Sequence, residues 1–426
     1  MKGFGESSKN NKKKSLFKNK GNLNQKKLIT EASRLHSQGN ILEAAKYYQL
    51  FLDKGFIDPN VLNNYGLICK QIGQLEKALK LFVKTIDLYP KFANAHYNLG
   101  NVLRDLGRPK EAEISIRNSI KINPNFANAY ANLGGILIDL GNIKEAEVST
   151  RKAIDLDPNC PIAHSNLGLI LRDQGKIKEA ESSSRKAIEL NPNFADAHSN
   201  LGNILRDQGK LEEAEESSRK VIELNPNFAD ANLHLGNILR DQGKLEEAEI
   251  STRKAIKLNP NFTNANLNLG NILREQGKLE EAEIYIRKAI EPNPNFADAH
   301  SNLGNILKDQ GKLNEAEIST RKAIEINPEL ADAHSNLGGI LRDQGKLNEA
   351  EISTRKAIKL DPNHSNAHSN LGGILRDIGK LNEAEILTRK AIELDPNSLI
   401  AYYNLGNILR DLGKVEEAKL CSKKIM

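Results

Sequence analysis

The 426-residue chain has no tryptophan, two methionines and only 5% aromatic residues. So little aromatic volume argues against the two or three ordinary globular domains that the length suggests. Cysteine is equally scarce. Cys69, Cys160 and Cys421 are odd in number and far apart, which excludes a disulfide framework and any metal-ligand spacing. That usage suits a reducing, cytoplasmic setting. No apolar run reaches 18 residues and the basic N-terminus has no apolar stretch behind it, so neither a membrane span nor a signal peptide is expected. Charge of one sign is missing from most of the chain. The net charge is +6, and residues 1–24 account for all of it with seven lysines and one glutamate, leaving 54 basic and 54 acidic side chains in residues 25–426. A neutral body disfavours nucleic acid as a partner, because phosphate binding needs a concentrated positive field. Residues 1–24 read as a disordered basic leader, too poor in apolar side chains to order itself.

Glycine (30 residues) and asparagine are plentiful, and they recur at a fixed interval. Leu-Gly stands at Leu99-Gly100, Leu133-Gly134, Leu167-Gly168, Leu201-Gly202, Leu235-Gly236, Leu269-Gly270, Leu303-Gly304, Leu337-Gly338, Leu371-Gly372 and Leu405-Gly406, every step being 34 residues. The register extends back to Gly66 and, more weakly, to Ala32. Twelve repeats therefore start at residues 25, 59, 93, 127, 161, 195, 229, 263, 297, 331, 365 and 399, the last cut short at Met426. A chain built this way buries each repeat on its neighbours and needs no single large core.

One repeat, residues 195–228, reads ADAHSNLGNILRDQGKLEEAEESSRKVIELNPNF. Ala197, Leu201, Ile204 and Leu205 fall on one helical stripe, and so do Leu211, Ala214, Val221 and Ile222. Gly209 lies between the two halves, where a helix C-terminus needs a residue able to adopt positive φ. Asn225-Pro226 closes the second half, because a residue before proline is pushed out of the helical region. Each repeat is thus helix A, a short turn, helix B and a proline turn.

Eleven of the twelve repeats place Gly at position eight, inside helix A. Each such glycine costs about 1 kcal/mol relative to Ala, and the sum, on the order of 10 kcal/mol, matches the net stability of a whole domain. Close helix approach must offset it, with the small Ala at position twenty opposite, as in Ala112, Ala146, Ala180, Ala214, Ala248 and Ala282.

The Leu-Gly at positions seven and eight, Gly at fifteen, Ala at twenty and twenty-seven and Pro at thirty-two resemble the tetratricopeptide pattern over residues 25–426. The resemblance implies an all-α, right-handed superhelical solenoid whose A helices line a concave groove, where family members usually bind peptides or protein segments. The chain departs from that pattern in two ways. The usual Trp at position four is His96, His164, His198, His300, His334 or His368, or Asn, Leu or Tyr elsewhere. The usual aromatic at twenty-four is mostly Ser or Thr, as at Thr252, Thr320 and Thr354. Both changes imply less apolar burial per repeat.

Helix A also carries a polar stripe. Position six is Asn64, Asn98, Asn132, Asn166, Asn200, Asn268, Asn302, Asn336, Asn370 and Asn404, with His234 in repeat seven. Position nine adds Asn101, Asn203, Asn237, Asn271, Asn305 and Asn407. Position twelve is Arg104, Arg172, Arg206, Arg240, Arg274, Arg342, Arg376 or Arg410, with Lys308 as a variant, beside a nearly invariant acid at thirteen. Asn is a mediocre helix former, so its recurrence mid-helix invites explanation. A row of side-chain amides, each both donor and acceptor, could pair with the backbone of an extended peptide. That resembles the asparagine ladder of the O-GlcNAc transferase tetratricopeptide region, whose repeats look like Ser199–Asn203. The competing reading is that duplication copied Asn as a hydrogen-bonding residue between repeats. Arg at twelve is either a compensated solvated charge or a ligand for a partner's carboxylates. Glu at twenty-one and Arg at twenty-five form i,i+4 pairs on helix B, worth about 0.2–0.5 kcal/mol each.

The position-four histidines lie one per repeat, too far apart to share an ion whose ligands sit at about 2 Å. No nucleophile set and no phosphate-cradling or dinucleotide loop occurs, and no span free of repeats is long enough for a catalytic domain. The sequence therefore predicts a non-enzymatic scaffold, without cofactor or metal, for protein or peptide partners. The alternatives are the targeting subunit of a glycosyltransferase or sulfotransferase system, and an RNA-binding helical repeat protein. The truncated twelfth repeat, which ends in CSKKIM without a capping helix, predicts fraying or end-on self-association.

Overall fold

A computed structural model describes residues 24–425; the leader, apart from Asn24, lies outside the described residues. Among the described residues the regular elements are 24 helices and there is no strand. The first helix spans 24–37 and is followed by Ile41–Asp53. From there the A helices begin at residues 59, 93, 127, 161, 195, 229, 263, 297, 331, 365 and 399, the starts expected from the Leu-Gly register.

The turns follow from their residues. Gly at position fifteen has φ between +71° and +91° in every repeat, a conformation closed to other residues at low cost. At Gly175 the amide donates to the Arg172 carbonyl (2.9 Å) and the Lys176 amide to Leu171 (2.8 Å), the paired bonds of a Schellman cap. Between helices B and A, the Asn193 amide donates to Asn191 Oδ1 (3.2 Å) across the intervening proline. His198, in the place of the family's Trp, donates from Nε2 to the Pro192 carbonyl (3.0 Å). His96, His164, His300, His334 and His368 repeat that bond to their own proline. The histidine series is a staple for the proline turn.

The chain divides into two compact units, Met1–Gly209 and Lys210–Met426. In each, helices A and B of one repeat pack as a hairpin, and helices A of neighbouring repeats also touch. The first unit begins with an aromatic core of Tyr48, Phe51, Tyr65 and Phe82, none more than 4% exposed. The second unit repeats one small cluster. Leu337, Leu341 and Ala350 of one repeat enclose Ile374 of the next, and Leu371, Leu375 and Ala384 enclose Ile408. The position-ten isoleucine is thus the apolar link from each repeat to its predecessor.

The mid-helix glycines do mark close approach, but the principal neighbour is not the one expected. A Cβ on Gly304 would collide with Thr320 Oγ1 and lie 3.2 Å from the Ala316 carbonyl oxygen. The position-twenty-four side chain fills the space above the glycine, while the small Ala at twenty lets its own carbonyl come near. The same pairing joins Gly338 to Thr354, Gly372 to Thr388 and, with larger groups, Gly100 to Ile116 and Gly66 to Phe82. Thr320, Thr354 and Thr388 are fully buried, and each hydroxyl donates 2.8 Å to the carbonyl four residues back. Burying threonine at these three positions leaves no unmet polar group.

Charged side chains join the B helices. Glu317 accepts from Arg321 (2.8 Å) and from Lys346 of the following repeat (2.8 Å), while Arg321 reaches Glu349 of that repeat (3.1 Å). Equivalent triads form at Glu283, Glu351 and Glu385. The expected i,i+4 pairs are present, and the structure extends them from one repeat to the next. Lys346, then Arg321 and Gln344, hold the Glu317 carboxyl at about 2, against a burial effect that alone would raise it.

Two outcomes are expected. Gly304→Ala should destabilise the protein by about 2 kcal/mol or more through overpacking. Gly406→Ala meets only Cys421 Cβ at 3.5 Å and a backbone oxygen at 3.8 Å and should be neutral or stabilising by up to about 1 kcal/mol; thermal melts compare them. Because the folded carboxyl of Glu317 lies below the ordinary 4.5, its contribution is complete above that pH and is lost as pH falls toward 2. Glu317→Gln should therefore flatten the fall in melting temperature between pH 5 and pH 3, roughly the interval that such a depressed carboxyl spans.

Candidate functional site

The polar stripe of helix A is set by the same helical phase that buries positions seven, ten and eleven. Positions six and nine flank that buried set, so most of their side chains emerge half-buried along the A-helix row, while Asn98 and Asn268 are buried. Most of the position-six amides are spent on the preceding repeat. Nδ2 of Asn200 donates to Ser165 Oγ (3.0 Å), Asn336 to Ser301 (3.0 Å), Asn370 to Ser335 (3.1 Å) and Asn404 to Ser369 (3.0 Å). Asn166 donates to the Ala131 carbonyl (2.8 Å), Asn98 to Asn63 Oδ1 (2.8 Å) and Asn132 to Asn101 Oδ1 (2.7 Å) and the Tyr97 hydroxyl (3.0 Å).

The three departures have one cause. Asn64, Asn268 and Asn302 follow repeats with Ile29, Leu233 and Leu267 at position five, where a serine would accept the bond. Asn268 turns to Thr252 Oγ1 (3.4 Å) and accepts from Arg240 (3.3 Å). Asn64 and Asn302 have no hydrogen-bond partner among the described residues. The buried serines at position five, Ser165, Ser301, Ser335 and Ser369, are partners that the polar stripe alone did not reveal. Their signal was the Ser-Asn dipeptide recurring at 34-residue intervals.

Position nine behaves differently. Asn203, Asn237, Asn271 and Asn305 are half-buried and make no hydrogen bond among the described residues, so their amides remain open on the A-helix surface. Elsewhere the position is modified. Asn101 is taken up by Asn132 and Asn407 accepts from Arg410 (2.9 Å). Gly135 and Gly339 have the basic side chain of the previous repeat above them: a Cβ would stand 3.0 Å from Arg104 Nη1 at the first and 3.2 Å from Lys308 Nζ at the second.

The position-twelve cations pair with the acid of the next repeat: Arg240 with Glu275 (3.0 Å), Arg274 with Asp309 (2.5 Å), Lys308 with Asp343 (3.2 Å). Arg206 is engaged as well. These pairs are partly exposed and worth little each, but they compensate the charge along the row. Burial pushes the thiols of Cys69, Cys160 and Cys421 above their ordinary range, the opposite of what a reactive thiolate needs. Among the described residues no helix is long and apolar enough to cross a membrane.

The Asn row separates by stability. Asn336→Ala removes a bond to a buried hydroxyl and should cost about 1 kcal/mol, whereas Asn302→Ala should cost close to nothing; urea titrations of the two variants test the contrast.

Family models described as tetratricopeptide repeat match residues 93–126, 195–228 and 297–330, 331–364, 127–160, and 219–250, 354–386 and 387–419. A TPR repeat model matches 66–107, 168–205, 236–277 and 270–311. Five of these matches begin on the repeat starts. No curated protein matches the chain. Among solved structures, the crystal structure of the yeast Tom70 is similar at 18% identity, covering 94% of this chain and 97% of that one, with a TM-score of 0.47.

Proposed function

The chain belongs to the tetratricopeptide repeat family, a protein-interaction scaffold, and from that premise we propose that it binds extended segments of partner proteins along the A-helix row, without catalysis of its own. The observation that carries this reading is the set of open amides at position nine. Asn237, Asn271 and Asn305 stand one per repeat in the second unit, half-buried and without an internal partner. An amide held on a rigid helix can donate to a carbonyl and accept from an N–H, so such a row suits a backbone ligand whatever its side chains. The position-six amides have a smaller part, since their donors already join repeat to repeat. Arg240 and Arg274, paired within the array, tune the field of the row and are not its main contacts.

The basic leader adds an electrostatic contact for acidic partners in this reading. The neutral body gives no reason to favour RNA.

The test separates ligand capture from stability. The triple variant Asn237→Ala, Asn271→Ala, Asn305→Ala should keep the helix content and melting temperature of the wild type. Its retention of a displayed library of random linear peptides should fall by about tenfold or more. Equal retention by the two proteins would remove position nine from the binding surface.

A further inference from the structure

Helix B carries a second periodic surface that the binding row does not use. Position twenty-two, on its outward side, is Ile250, Ile284, Ile318, Ile352, Ile386 and Leu420 in repeats seven to twelve. These side chains are 69, 53, 71, 71, 68 and 63% exposed. Six large aliphatic side chains in six consecutive repeats are not the scattered apolar exposure of an ordinary surface. Repeats three and four also carry an exposed aliphatic there, Ile114 and Val148, but Ser182 and Glu216 in repeats five and six interrupt the row, and its longest unbroken run lies in the second unit.

Beside the row the surface is indented. Ile324, His334, Leu337 and Leu341 floor a cavity of about 470 Å³ whose lip is Ile352. The corresponding positions around Leu420, with Tyr402 for the histidine, enclose about 880 Å³. Projecting aliphatic side chains thus share one face with two largely apolar cavities. The isoleucines recur once per repeat, and the two cavities stand two repeats apart. A face whose projecting side chains recur once per repeat stays in step with a second copy of itself when each repeat lies on its own counterpart, as an isologous contact requires.

Charge selects the orientation. On each helix B the residues one turn before the isoleucine are acidic or neutral and those one turn after it are basic: Glu246 and Glu247 before Ile250, Arg253 and Lys254 after it; Glu315 before Ile318, Arg321 and Lys322 after it. A two-fold axis along the row sets the acidic side of one copy over the basic side of the other. An axis across the row sets like over like, which is repulsive. The exposed side chains present on the order of 500 Å² of apolar surface per copy, and the flanking charged side chains extend this toward the about 800 Å² per partner of a stable interface.

We propose that repeats seven to twelve dock a second copy of this chain through their B helices, about a two-fold axis running along the Ile250–Leu420 row, so that each repeat meets its own counterpart. The contact leaves the A-helix row of both copies open.

Sedimentation velocity of the full chain up to about 100 μM should give a dimer. The double variant Ile318→Glu, Ile352→Glu should weaken that dimer by about a hundredfold or more, because it buries each new carboxylate against the same carboxylate of the second copy, with the circular dichroism unchanged at these exposed positions. Ile250→Cys should form an intermolecular disulfide under mild oxidation that the wild type, with its buried cysteines, does not form. A monomer throughout the concentration range would overturn the proposal. So would a dimer indifferent to the glutamates, the result expected of end-on association. A glutamate-sensitive dimer in which Ile250→Cys fails to crosslink would overturn the parallel register, since the opposite orientation places Ile250 against Leu420.

Discussion

The contact between the position-eight glycine and the position-twenty-four side chain governs the geometry of the repeat. It sets how closely helix A lies to helix B, and hence where the position-seven and position-eleven leucines present themselves to the next isoleucine at position ten. Ala at twenty brings a carbonyl to within 3.2–3.3 Å of the missing methyl at Gly168, Gly236, Gly304, Gly338 and Gly372. The conformational cost of glycine in a helix is accepted because no other residue permits this approach. The family's aromatic at position twenty-four survives in repeats one and two, as Tyr48 and Phe82, and in repeat two the glycine faces the phenylalanine ring. In most later repeats a threonine or serine serves, with the threonines of repeats seven and nine to eleven returning their hydroxyls to the local backbone.

The polar side chains then act almost wholly between neighbours. Asn at six, Arg at twelve and Glu at twenty-one each reach one repeat away, on different sides of the array. Individually such contacts are small. Their effect is to fix the angle between consecutive repeats, which a cluster of leucines and one isoleucine would leave loosely defined. This is the energetics of a one-dimensional array, in which stability is a sum of repeat and interface contributions. The acid sensitivity of the Glu317 class repeats in the same way, since Glu283, Glu351 and Glu385 are also held below the ordinary carboxylate range.

Two surfaces remain after these internal demands are met. The A-helix row offers amides without partners at position nine, a surface suited to hydrogen bonding with a backbone. The B-helix row of the second unit offers isoleucines over apolar cavities, a surface suited to burial. They differ in chemistry and lie on different helices, so one can be occupied without obstructing the other.

The period, the helix pairs and their boundaries were legible from the amino-acid sequence, because Leu-Gly, the turn glycine and the Asn-Pro dipeptide are local signals with local physical causes. So was the balance of charge in the body. Direction was not. Position six read as a polar stripe, but whether Asn200 or Asn336 faces a ligand or Ser165 and Ser301 depends on the rotation of one helix against the next. The pairing of Arg274 with Asp309 rather than with its own neighbour has the same origin. The position-twenty-two isoleucines share their helical period with core residues, and only packing put them outside. Side-chain period says which residues share a face; the neighbouring helix decides what that face meets.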